Sequence, residues 1–324
     1  MALIKSIIIL IIGFALLMKG ADYFVEGSSS VAKQLHVPSM IIGMTIVAMG
    51  TSLPECAVSV TASLTGNNSL AVSNVVGSNI FNLMVVCGDC ALFAPLTIKK
   101  DTLKKEFPLS IICAALLMVL GYVGMLLGHL DGGVFLLIFA AYLIWMIGSA
   151  KKARAAHKES QMMLEEGELV DEEIQILPLW KCALFIVGGM IAIKFGGDFV
   201  VDSASALASA FGLSQTLIGL TIVAMGTSLP ELVTSIVAAR KNEVDMALGN
   251  VIGSNIFNIL LVLGVAAAIS PVKFLTDNII DTVVLIAMSL VVLVFAWTSK
   301  MIDRREGATM LGMYAVYMAY ICIL

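Results

Sequence analysis

Long apolar runs separated by short polar stretches make up most of the chain. Each run is about 20 residues long, which is the length that an α-helix needs to cross a hydrocarbon core roughly 30 Å thick. Breaking the runs at charged residues, Gly and Pro predicts about ten transmembrane helices. They are expected at Ile4–Val25, Pro38–Thr65, Leu70–Ala94, Phe107–Leu127, Gly133–Ala150, Leu177–Val200, Ser214–Ala239, Val244–Ile269, Ile279–Thr298 and Thr309–Leu324. The pattern predicts an all-α polytopic membrane protein.

The composition supports this fold class. Of the 324 residues, 60% are hydrophobic and only 13% are charged, whereas soluble globular domains carry about 25% charged residues. A water-soluble enzyme, a nucleic-acid-binding protein and a secreted disulfide-rich protein are therefore excluded. The net charge of -4 is small and says little about partners other than the lipid bilayer.

Lysine and arginine are distributed unevenly between the two sets of loops. Of the 19 basic residues, 15 fall on one set of alternate loops or beside the helix ends there, with the largest groups at 99–105, 151–158 and 300–305. Cytoplasmic loops of membrane proteins carry an excess of Lys and Arg. This face is therefore expected to be cytoplasmic, which places both chain ends outside the cytoplasm.

Two segments of the first half recur in the second half. Ile41–Glu55 reads IIGMTIVAMGTSLPE and Leu217–Glu231 reads LIGLTIVAMGTSLPE, which agree at 13 of 15 positions. Asn74–Asn82 reads NVVGSNIFN and Asn250–Asn258 reads NVIGSNIFN, which agree at 8 of 9 positions. Both pairs are separated by 176 residues, so the chain contains an internal repeat.

An odd number of predicted helices, five, precedes the second copy, so the second half is expected to be inverted in the membrane relative to the first. Inverted repeats with a binding site near the bilayer midplane are common in secondary transporters. The predicted organisation is a first five-helix repeat at 1–150 with its repeated segments at 41–82, a charged cytoplasmic linker at 151–176, and a second, inverted five-helix repeat at 177–324 with its repeated segments at 217–258.

A proline interrupts each GTSLPE segment. Pro54 has no N–H group, so the carbonyl of Gly50 loses its helical hydrogen-bond partner, and Pro230 does the same to Gly226. Each of these helices is expected to consist of two half-helices that meet near mid-bilayer. Free carbonyl groups at that depth are tolerated only when buried in protein or facing a watery cavity, and they are good ligands for a hard cation.

Glu55 and Glu231 follow the two prolines directly. A charged side chain at the centre of a bilayer costs about 2.5–3.5 kcal/mol or more unless it is paired, which makes an intramembrane carboxylate a functional candidate. The repeated segments contain no Lys or Arg. A bound cation or a proton is therefore expected to neutralise the two acids.

Polar residues at helical spacing surround both glutamates in the sequence, and inversion could bring the two sets together. The resulting site would offer only oxygen ligands and two negative charges, which suits Ca²⁺, with Na⁺ as a chemically similar competitor. The side chains expected to converge are Thr51, Ser52, Glu55, Ser78, Asn82, Thr227, Ser228, Glu231, Ser254 and Asn258.

Other roles are open for some of these positions. The S-x-x-E spacing of Ser52 and Glu55 is also that of a capping box, which would satisfy the start of the second half-helix. Asn79 and Asn255 lie on a different helix face and are expected to form interhelical hydrogen bonds. The repeated glycines are interpreted as close helix packing, at Gly43, Gly50, Gly77, Gly219, Gly226 and Gly253.

Paired GTSLPE and GSNIFN segments in inverted halves resemble the two alpha-repeats of the calcium/cation antiporter superfamily, specifically its sodium/calcium exchanger branch. The likeness is to a small prokaryotic inner-membrane member. It implies that Glu55 and Glu231 coordinate Ca²⁺ and Na⁺, as transported ions rather than cofactors. It implies further oxygen ligands from side chains or backbone at Ala48, Thr51, Ser52, Ala224, Thr227 and Ser228, with Ser78, Asn82, Ser254 and Asn258 lining the site.

The sequence departs from that family pattern at one pair of positions. Several sodium/calcium exchangers carry Asp at one of the positions that match Asn82 and Asn258, whereas this chain has Asn at both. The sodium stoichiometry and any potassium dependence are therefore open. Proton exchange is less favoured, because Cys56 and Leu232 follow the glutamates where the proton/calcium branch typically has His.

Two other classes of function compete with a carrier. A cation channel would need a continuous pore and usually a ring of subunits. An intramembrane hydrolase would need a base beside Ser52 or Ser228, and no His or Lys is placed to serve. The resemblance and the repeat both favour an antiporter that is not an enzyme.

Some features away from the repeat have two interpretations. Asp22, Glu26, Asp198 and Asp202 are either helix-end carboxylates or part of an ion entry path. The acidic stretch Glu159–Glu173 is interpreted as a solvated linker rather than a calcium site, because it lacks EF-hand spacing. The cysteines of the C-x-x-C sequence that begins at Cys87 are interpreted as packing residues.

Overall fold

The computed structural model describes residues 2–64, 69–164, 177–212, 222 and 224–323, and this part is almost entirely helical. The α-helices are α1 (Ala2–Leu35), α2 (Ser39–Ile42), α3 (Ala48–Thr51), α4 (Leu53–Leu64), α5 (Ser69–Phe81), α6 (Cys87–Phe93), α7 (Phe107–Tyr122), α8 (His129–Leu164), α9 (Leu179–Ala210), α10 (Ala224–Gly226), α11 (Leu229–Arg240), α12 (Val244–Phe257), α13 (Gly264–Ile269), α14 (Thr276–Ser299) and α15 (Arg304–Ile323).

Wider π-helical turns join several of these helices without ending them. The π-helical segments are Gly43–Val47, Asn82–Val86, Thr102–Glu106 and Asn258–Leu263. One segment therefore joins α2 to α3, another joins α5 to α6, and another joins α12 to α13. π-helical turns are rare and often occur at functional sites. Two of these four begin at asparagines that the sequence marks as candidate ligands.

Seven of the described helices are long and apolar enough to cross a membrane, and the bent pair Ser39–Thr51 and Leu53–Leu64 adds an eighth. The helix expected at Ser214–Ala239 begins outside the described residues. Gly219 and most of the second repeated segment before Ala224 also lie outside them. Of the segment expected at Thr309–Leu324, residues 309–323 lie within α15, which is not among the seven, and Leu324 lies outside the described residues. The prediction of an α-helical membrane protein is confirmed at this level.

Some helices extend well past their predicted ends. Helix α8 continues to Leu164, 14 residues beyond the predicted end at Ala150, and α9 continues ten residues past Val200. Hydropathy marks where the apolar stretch stops, whereas Lys, Arg, Ala and Glu after it are good helix formers. The first residues of the expected linker are therefore helical, and residues 165–173 of the acidic stretch lie outside the described part.

Two short antiparallel strand pairs depart from the all-α expectation. Strand β1 (Leu96–Thr97) pairs with β4 (Met301–Ile302), and β2 (Leu126–Leu127) pairs with β3 (Val272–Lys273). They lie where helices end and the chain is extended. Two-residue strands satisfy backbone groups that would otherwise be left without partners, and hydropathy patterns do not detect them.

The helices α1 and α9 lie antiparallel along each other and approach closely through glycine. A Cβ atom on Gly20 would lie 2.9 Å from the backbone nitrogen of Ile193, and one on Gly189 would lie 2.7 Å from the carbonyl oxygen of Gly20. Side chains larger than hydrogen at these positions would separate the two backbones. This pair packs beside the centre of the molecule.

The centre is formed by the helices that carry the repeated segments. Every residue of α12 from Met246 to Phe257 is buried, and α12 packs against α2, α3 and the π-helical turn between them. The hydroxyl group of Tyr142 on α8 donates to the carbonyl oxygen of Met44 in that turn, at 3.1 Å. The repeated polar residues are thus enclosed by protein.

Candidate cation-binding site

The first GTSLPE segment breaks its helix as predicted. Helix α3 ends at Thr51, Ser52 has non-helical angles (φ -83°, ψ 10°), and α4 begins at Leu53. The axes on the two sides of the break differ by 48°. In the second segment Ser228 has nearly the same angles (φ -94°, ψ 5°) immediately before α11. Both serines therefore lie at a helix break, with the glutamate one turn later.

The two breaks are joined by crossed hydrogen bonds. The hydroxyl group of Ser52 donates to Oε1 of Glu231 at 2.8 Å, and that of Ser228 donates to Oε1 of Glu55 at 3.1 Å. All four side chains are fully buried. Each glutamate therefore accepts a hydrogen bond from the serine of the other segment. The prediction that the two acids converge is confirmed.

Each of these carboxylates keeps one oxygen without a partner. Oε2 of Glu55 and Oε2 of Glu231 are buried and accept no hydrogen bond from any described residue. None of the ion pairs in the described ranges includes either glutamate. A buried charge without a partner is strongly unfavourable, so the site requires a positively charged ligand or protons.

The GSNIFN residues add further unpartnered polar atoms. Within the described part, the hydroxyl oxygens of Ser78 and Ser254 and the amide oxygens of Asn82 and Asn258 have no hydrogen-bond partner. All four side chains are buried. Helix α4, which carries Glu55, contacts the π-helical segment that begins at Asn258, and α11 contacts the one that begins at Asn82. Here too, the glutamate helix of each half contacts the asparagine turn of the other half.

Each segment also contributes a threonine to the candidate ligands. The Thr51 hydroxyl lies 3.2 Å from the carbonyl oxygen of Val47 and 3.1 Å from Oδ1 of Asn250, so it is already engaged. The Thr227 hydroxyl has no partner among the described residues. Val223, the residue equivalent to Val47, lies outside the described residues.

The alanines were expected through the family resemblance. The carbonyl oxygen of Ala48 accepts the N–H of Ser52 at 3.0 Å, and a carbonyl oxygen has a second lone pair for another partner. Ala224 is the first residue of α10. Its side chain lies outside what the structure describes, so only its backbone is placed.

Sequence reasoning missed two asparagines that fix the glutamate helices. The Asn250 amide donates to Oγ of Ser235 at 2.9 Å and to the carbonyl oxygen of Glu231 at 3.4 Å. Asn74 makes the equivalent bond to Ser59 at 3.1 Å in the other half. The available signal was that both asparagines recur at the repeat offset, as do the two serines.

The expectation for Asn79 and Asn255 is confirmed. The Asn79 side-chain amide donates to the carbonyl oxygen of Asn255 at 3.1 Å, and the Asn255 amide donates to the carbonyl oxygen of Asn79 at 3.2 Å. The Asn258 amide also donates to Oδ1 of Asn79 at 3.2 Å. These bonds hold α5 and α12 together, and Asn258 is left with its oxygen free.

The donor set contains oxygen and little else. No group of three His, Cys, Asp or Glu side chains comes together in the ranges that the structure describes. A metal ion between Glu55 and Glu231 would be bound by two carboxylates with hydroxyl, amide and carbonyl oxygens. Such ligands suit hard cations such as Ca²⁺, and they do not favour Zn²⁺ or copper.

A family model described as the sodium/calcium exchanger protein matches this chain over residues 5–148 and again over 181–323. The chain belongs to the sodium/calcium exchanger family. A curated relative, the putative antiporter CaxA of Alkalimonas amylolytica, is 39% identical over 97% of this chain and 98% of its own length. The inner membrane protein YrbG of Escherichia coli is 36% identical over 96% of this chain and 95% of its own length.

Solved structures agree with this membership. The sodium-calcium exchanger NCX_Mj, in a crystal soaked with Na⁺ and Sr²⁺, has a TM-score of 0.82 to this chain and 31% sequence identity. The match covers 98% of this chain and 99% of that chain. The arrangement around the two helix breaks thus occurs in a chain whose whole fold is similar to that of an exchanger.

The capping-box alternative does not describe the second break of this exchanger-family chain. The Ser228 side chain makes no capping hydrogen bond to α11, because its hydroxyl group is directed across to Glu55.

The expectation that the repeated glycines allow close helix packing is confirmed at Gly43, where a Cβ would lie 2.5 Å from a carbonyl oxygen of α12, and at Gly253. It is wrong at Gly77, where an added Cβ would meet nothing within 4 Å.

The other packing expectations concern glycines at the breaks and the cysteines. Added Cβ atoms on Gly50 and Gly226 would lie 2.7 Å and 2.3 Å from side chains of α9, so packing is confirmed there too. Cys87 and Cys90 are buried free thiols. Their burial agrees with a packing role in the exchanger fold.

The carboxylates on the outer helices lie apart from the site. Asp22 and Glu26 on α1 face Lys241, whose Nζ lies 3.6 Å and 3.7 Å from their oxygens. Asp198 on α9 pairs with Lys194 four residues earlier. Ion pairing at the helix surface accounts for these three acids, and an entry path along them stays a prediction for this exchanger.

Proposed function

We propose that this chain is a secondary-active antiporter that exchanges Ca²⁺ for Na⁺ by alternating access. The observation that carries the proposal is the crossed pair of Ser–Glu hydrogen bonds, in which each buried carboxylate keeps one oxygen unpartnered. The family match supports Ca²⁺ and Na⁺ as the exchanged ions. The crystals of the similar exchanger NCX_Mj were soaked with Na⁺ and Sr²⁺. Relatives named as antiporters and exchangers support a transporter and not an enzyme.

The proposed ion ligands come from both halves. Glu55 and Glu231 supply the charge, and neutral oxygens complete the shell of six to eight that Ca²⁺ prefers. The neutral ligands in this proposal are Thr51, Ser52, Ser78, Asn82, Thr227, Ser228, Ser254 and Asn258, with the backbone at Ala48 and Ala224.

The proposed architecture is ten transmembrane helices in two inverted five-helix repeats. The two helix breaks, the two π-helical turns at Asn82 and Asn258 and the reciprocal asparagine bonds, all at the same sequence offset, support it. The two separate matches to one family model also support two repeats. In this proposal the repeats are 1–150 and 177–324, joined by a cytoplasmic linker at 151–176.

The proposed location is the bacterial inner membrane, with both chain ends on the periplasmic side. The E. coli relative named as an inner membrane protein supports the membrane. The accumulation of lysine and arginine on one set of loops supports the orientation.

Charge balance explains why such a site would exchange ions. One Ca²⁺ neutralises Glu55 and Glu231, and two Na⁺ do the same, so the two loads compete for the same oxygens. A neutralised site crosses hydrocarbon more readily than one with two bare charges. If three Na⁺ exchange for one Ca²⁺, one charge moves per cycle, which is worth about 2.3 kcal/mol per 100 mV.

Calcium flux into proteoliposomes tests the proposal. An outward sodium gradient is expected to drive calcium uptake by the unaltered chain, whereas Glu55→Gln and Glu231→Gln are each expected to abolish it. Asp277→Asn is the matched control, because Asp277 is an exposed carboxylate at the start of α14, outside the site. Sodium-driven uptake that persists in both glutamine variants would refute the assignment.

The same vesicles separate the remaining alternatives. Dependence of uptake on a proton gradient or on added K⁺ would indicate Ca²⁺/H⁺ exchange or potassium-dependent exchange. Trans sodium accelerates calcium movement through a carrier only, so equal flux with and without it would indicate a cation channel.

A further inference from the structure

A basic pocket lies on the lysine-rich face, away from the cation site. It has a volume of about 190 Å³ between the start of the α7 region and the end of α14. Its lining residues are Lys100, Leu103, Lys104, Trp297 and Lys300. Three of the five are exposed lysines and none is acidic, but the walls of the cavity are mostly apolar, so the lysines line it with their methylene stems beside Leu103 and Trp297.

The positive charge of this pocket is not balanced by neighbouring acids. Lys99 forms an ion pair with Asp245, and Lys105 lies 3.1 Å from Asp101. The three pocket lysines form no ion pair with any acidic side chain in the described part of the chain. Asp245 and Asp101 are thus paired with lysines outside the pocket, which leaves the charge of the three pocket lysines without an ion-pair partner in the described part of the chain.

The backbone at Lys300 disfavours lysine. This residue has left-handed angles (φ 56°, ψ 21°) where α14 ends, a conformation in which glycine is preferred because it has no Cβ. The carbonyl oxygen of Lys300 accepts the N–H of Ile98 at 2.9 Å, which fixes the position. The backbone at this position therefore does not favour a lysine side chain over glycine.

The opposite end of the molecule contains the same backbone corner, with Lys273 and Asp277 nearby but with none of the three pocket lysines. There the N–H of Phe274 donates to the carbonyl oxygen of Met125 at 3.0 Å, and Met125 has a left-handed φ of 51°. Aligning these two hydrogen bonds gives the residues that replace the pocket lysines. In this alignment Thr276 corresponds to Lys100, Ile280 corresponds to Lys104, and Met125 corresponds to Lys300. The corner itself therefore does not require lysine.

We propose that this pocket binds the phosphate group of an anionic phospholipid. The ammonium groups of the three exposed lysines would contact the phosphate from outside the apolar cavity. Trp297, which is 59% exposed, would lie at the level of the glycerol and headgroup region, where Trp is enriched. The proposed orientation places the pocket at the cytoplasmic leaflet. Basic pockets between transmembrane helices on that side are known to bind anionic headgroups.

Lipid retention measured by native mass spectrometry tests this proposal. The purified full chain, released from nanodiscs of phosphatidylglycerol and phosphatidylcholine in equal amounts, is expected to retain phosphatidylglycerol selectively. Neutralising one pocket lysine is expected to lower its retention about five-fold, the ratio that about 1 kcal/mol per basic residue corresponds to. The variants are the single substitution Lys300→Gly and the triple substitution Lys100→Gln, Lys104→Gln and Lys300→Gln.

The control removes the same charge elsewhere on this face, by Lys151→Gln, Lys152→Gln and Arg154→Gln on exposed positions of α8. It is expected to retain phosphatidylglycerol like the unaltered chain. Lys300→Gly separates binding from folding, because glycine suits the left-handed position and should leave the melting temperature unchanged or higher while retention falls. If the triple variant does not fold, the retention of phosphatidylglycerol by Lys300→Gly still tests the proposal.

Three results would overturn the proposal. They are equal retention of the two lipids by the unaltered chain, equal loss of phosphatidylglycerol in the pocket and α8 variants, and unchanged retention in Lys300→Gly. A separate titration with inorganic phosphate distinguishes a lipid from a free ion. Binding of millimolar phosphate without selective retention of phosphatidylglycerol would rule out the lipid.

Discussion

Two serine hydroxyl groups hold the acids of the site by crossing from one segment to the other. Hydrogen bonds to charged groups contribute about 1.5–3 kcal/mol, and in this geometry each one also connects the two halves. Ser52 and Ser228 are therefore more than extra oxygen ligands. They position Oε1 of each glutamate and leave Oε2 without a hydrogen-bond partner in the described part of the chain.

Removing one of these hydroxyl groups is expected to weaken cation binding. Ser52→Ala leaves Oε1 of Glu231 without its donor, so calcium affinity should fall by roughly tenfold or more. Isothermal titration of the purified protein with Ca²⁺ measures the change. Ser289→Ala, which removes a buried hydroxyl that bonds only within α14, is the control and should bind like the unaltered chain. Equal affinities in the two variants would contradict the role given to Ser52.

The asparagines behind the glutamates are expected to matter for stability. Asn250→Ala removes the donor to Ser235 and leaves buried polar atoms unpartnered, which should lower the free energy of unfolding by about 1–3 kcal/mol. Asn74→Ala removes the equivalent bond in a half-buried position, so its effect should be smaller. Thermal unfolding in detergent compares the two, and a larger effect at Asn74 would contradict this ranking.

At the level of elements, the turn between α11 and α12 fastens α1 to the centre of the molecule. Glu243 accepts hydrogen bonds from Ser29 on α1 and from Ser39 at the start of α2, and it pairs with Lys33 at 3.5 Å. Lys241 pairs with two acids of α1. The residues 176 positions earlier are Thr65 and Asn67, which carry no charge. The sequence therefore provides these charges at one end only.

Replacing the two charged residues by their uncharged counterparts is expected to loosen α1 at this end. Each exposed ion pair contributes about 0.2–1 kcal/mol, so Lys241→Thr with Glu243→Asn should speed hydrogen–deuterium exchange of residues 22–33 several-fold. Lys105→Thr, which breaks an ion pair within a single helical stretch, should leave that exchange unchanged. Unchanged exchange in the double variant would show that helix packing alone holds α1.

The elements also show what the sequence could and could not predict. The breaks were predictable, because the missing N–H of Pro54 and Pro230 is a covalent property of the chain. The partner of each serine was not, since the same S-x-x-E spacing allows a local cap, and only the tertiary arrangement directs Ser228 to Glu55. The end of α8 at Leu164 was missed because hydropathy stops at the membrane boundary while the helix continues.

For the molecule as a whole, two buried acids should make folding depend on the ion. A ligand that binds only the native state stabilises it by about 2.7 kcal/mol at a concentration 100 times its dissociation constant. Calcium is therefore expected to raise the melting temperature of the unaltered chain. The variant with both Glu55→Gln and Glu231→Gln should melt at the same temperature with and without calcium.

Thermal unfolding with calcium, with magnesium and with a chelator measures this dependence. Magnesium serves as the control ion, because it demands a smaller, octahedral shell and gives up its water reluctantly. A calcium shift that survives in the double glutamine variant would place the ion elsewhere in the molecule.

The crossed serine–glutamate bonds also set a condition on how the protein is made. Each half supplies the hydroxyl group that the acid of the other half needs, so neither acid is satisfied until both halves have entered the membrane. In the proposed inverted arrangement, a ribosome-bound chain that inserted its second half the wrong way round would strand both acids in lipid at once. Both acids would therefore gain their serine donors only when the two halves are inserted correctly.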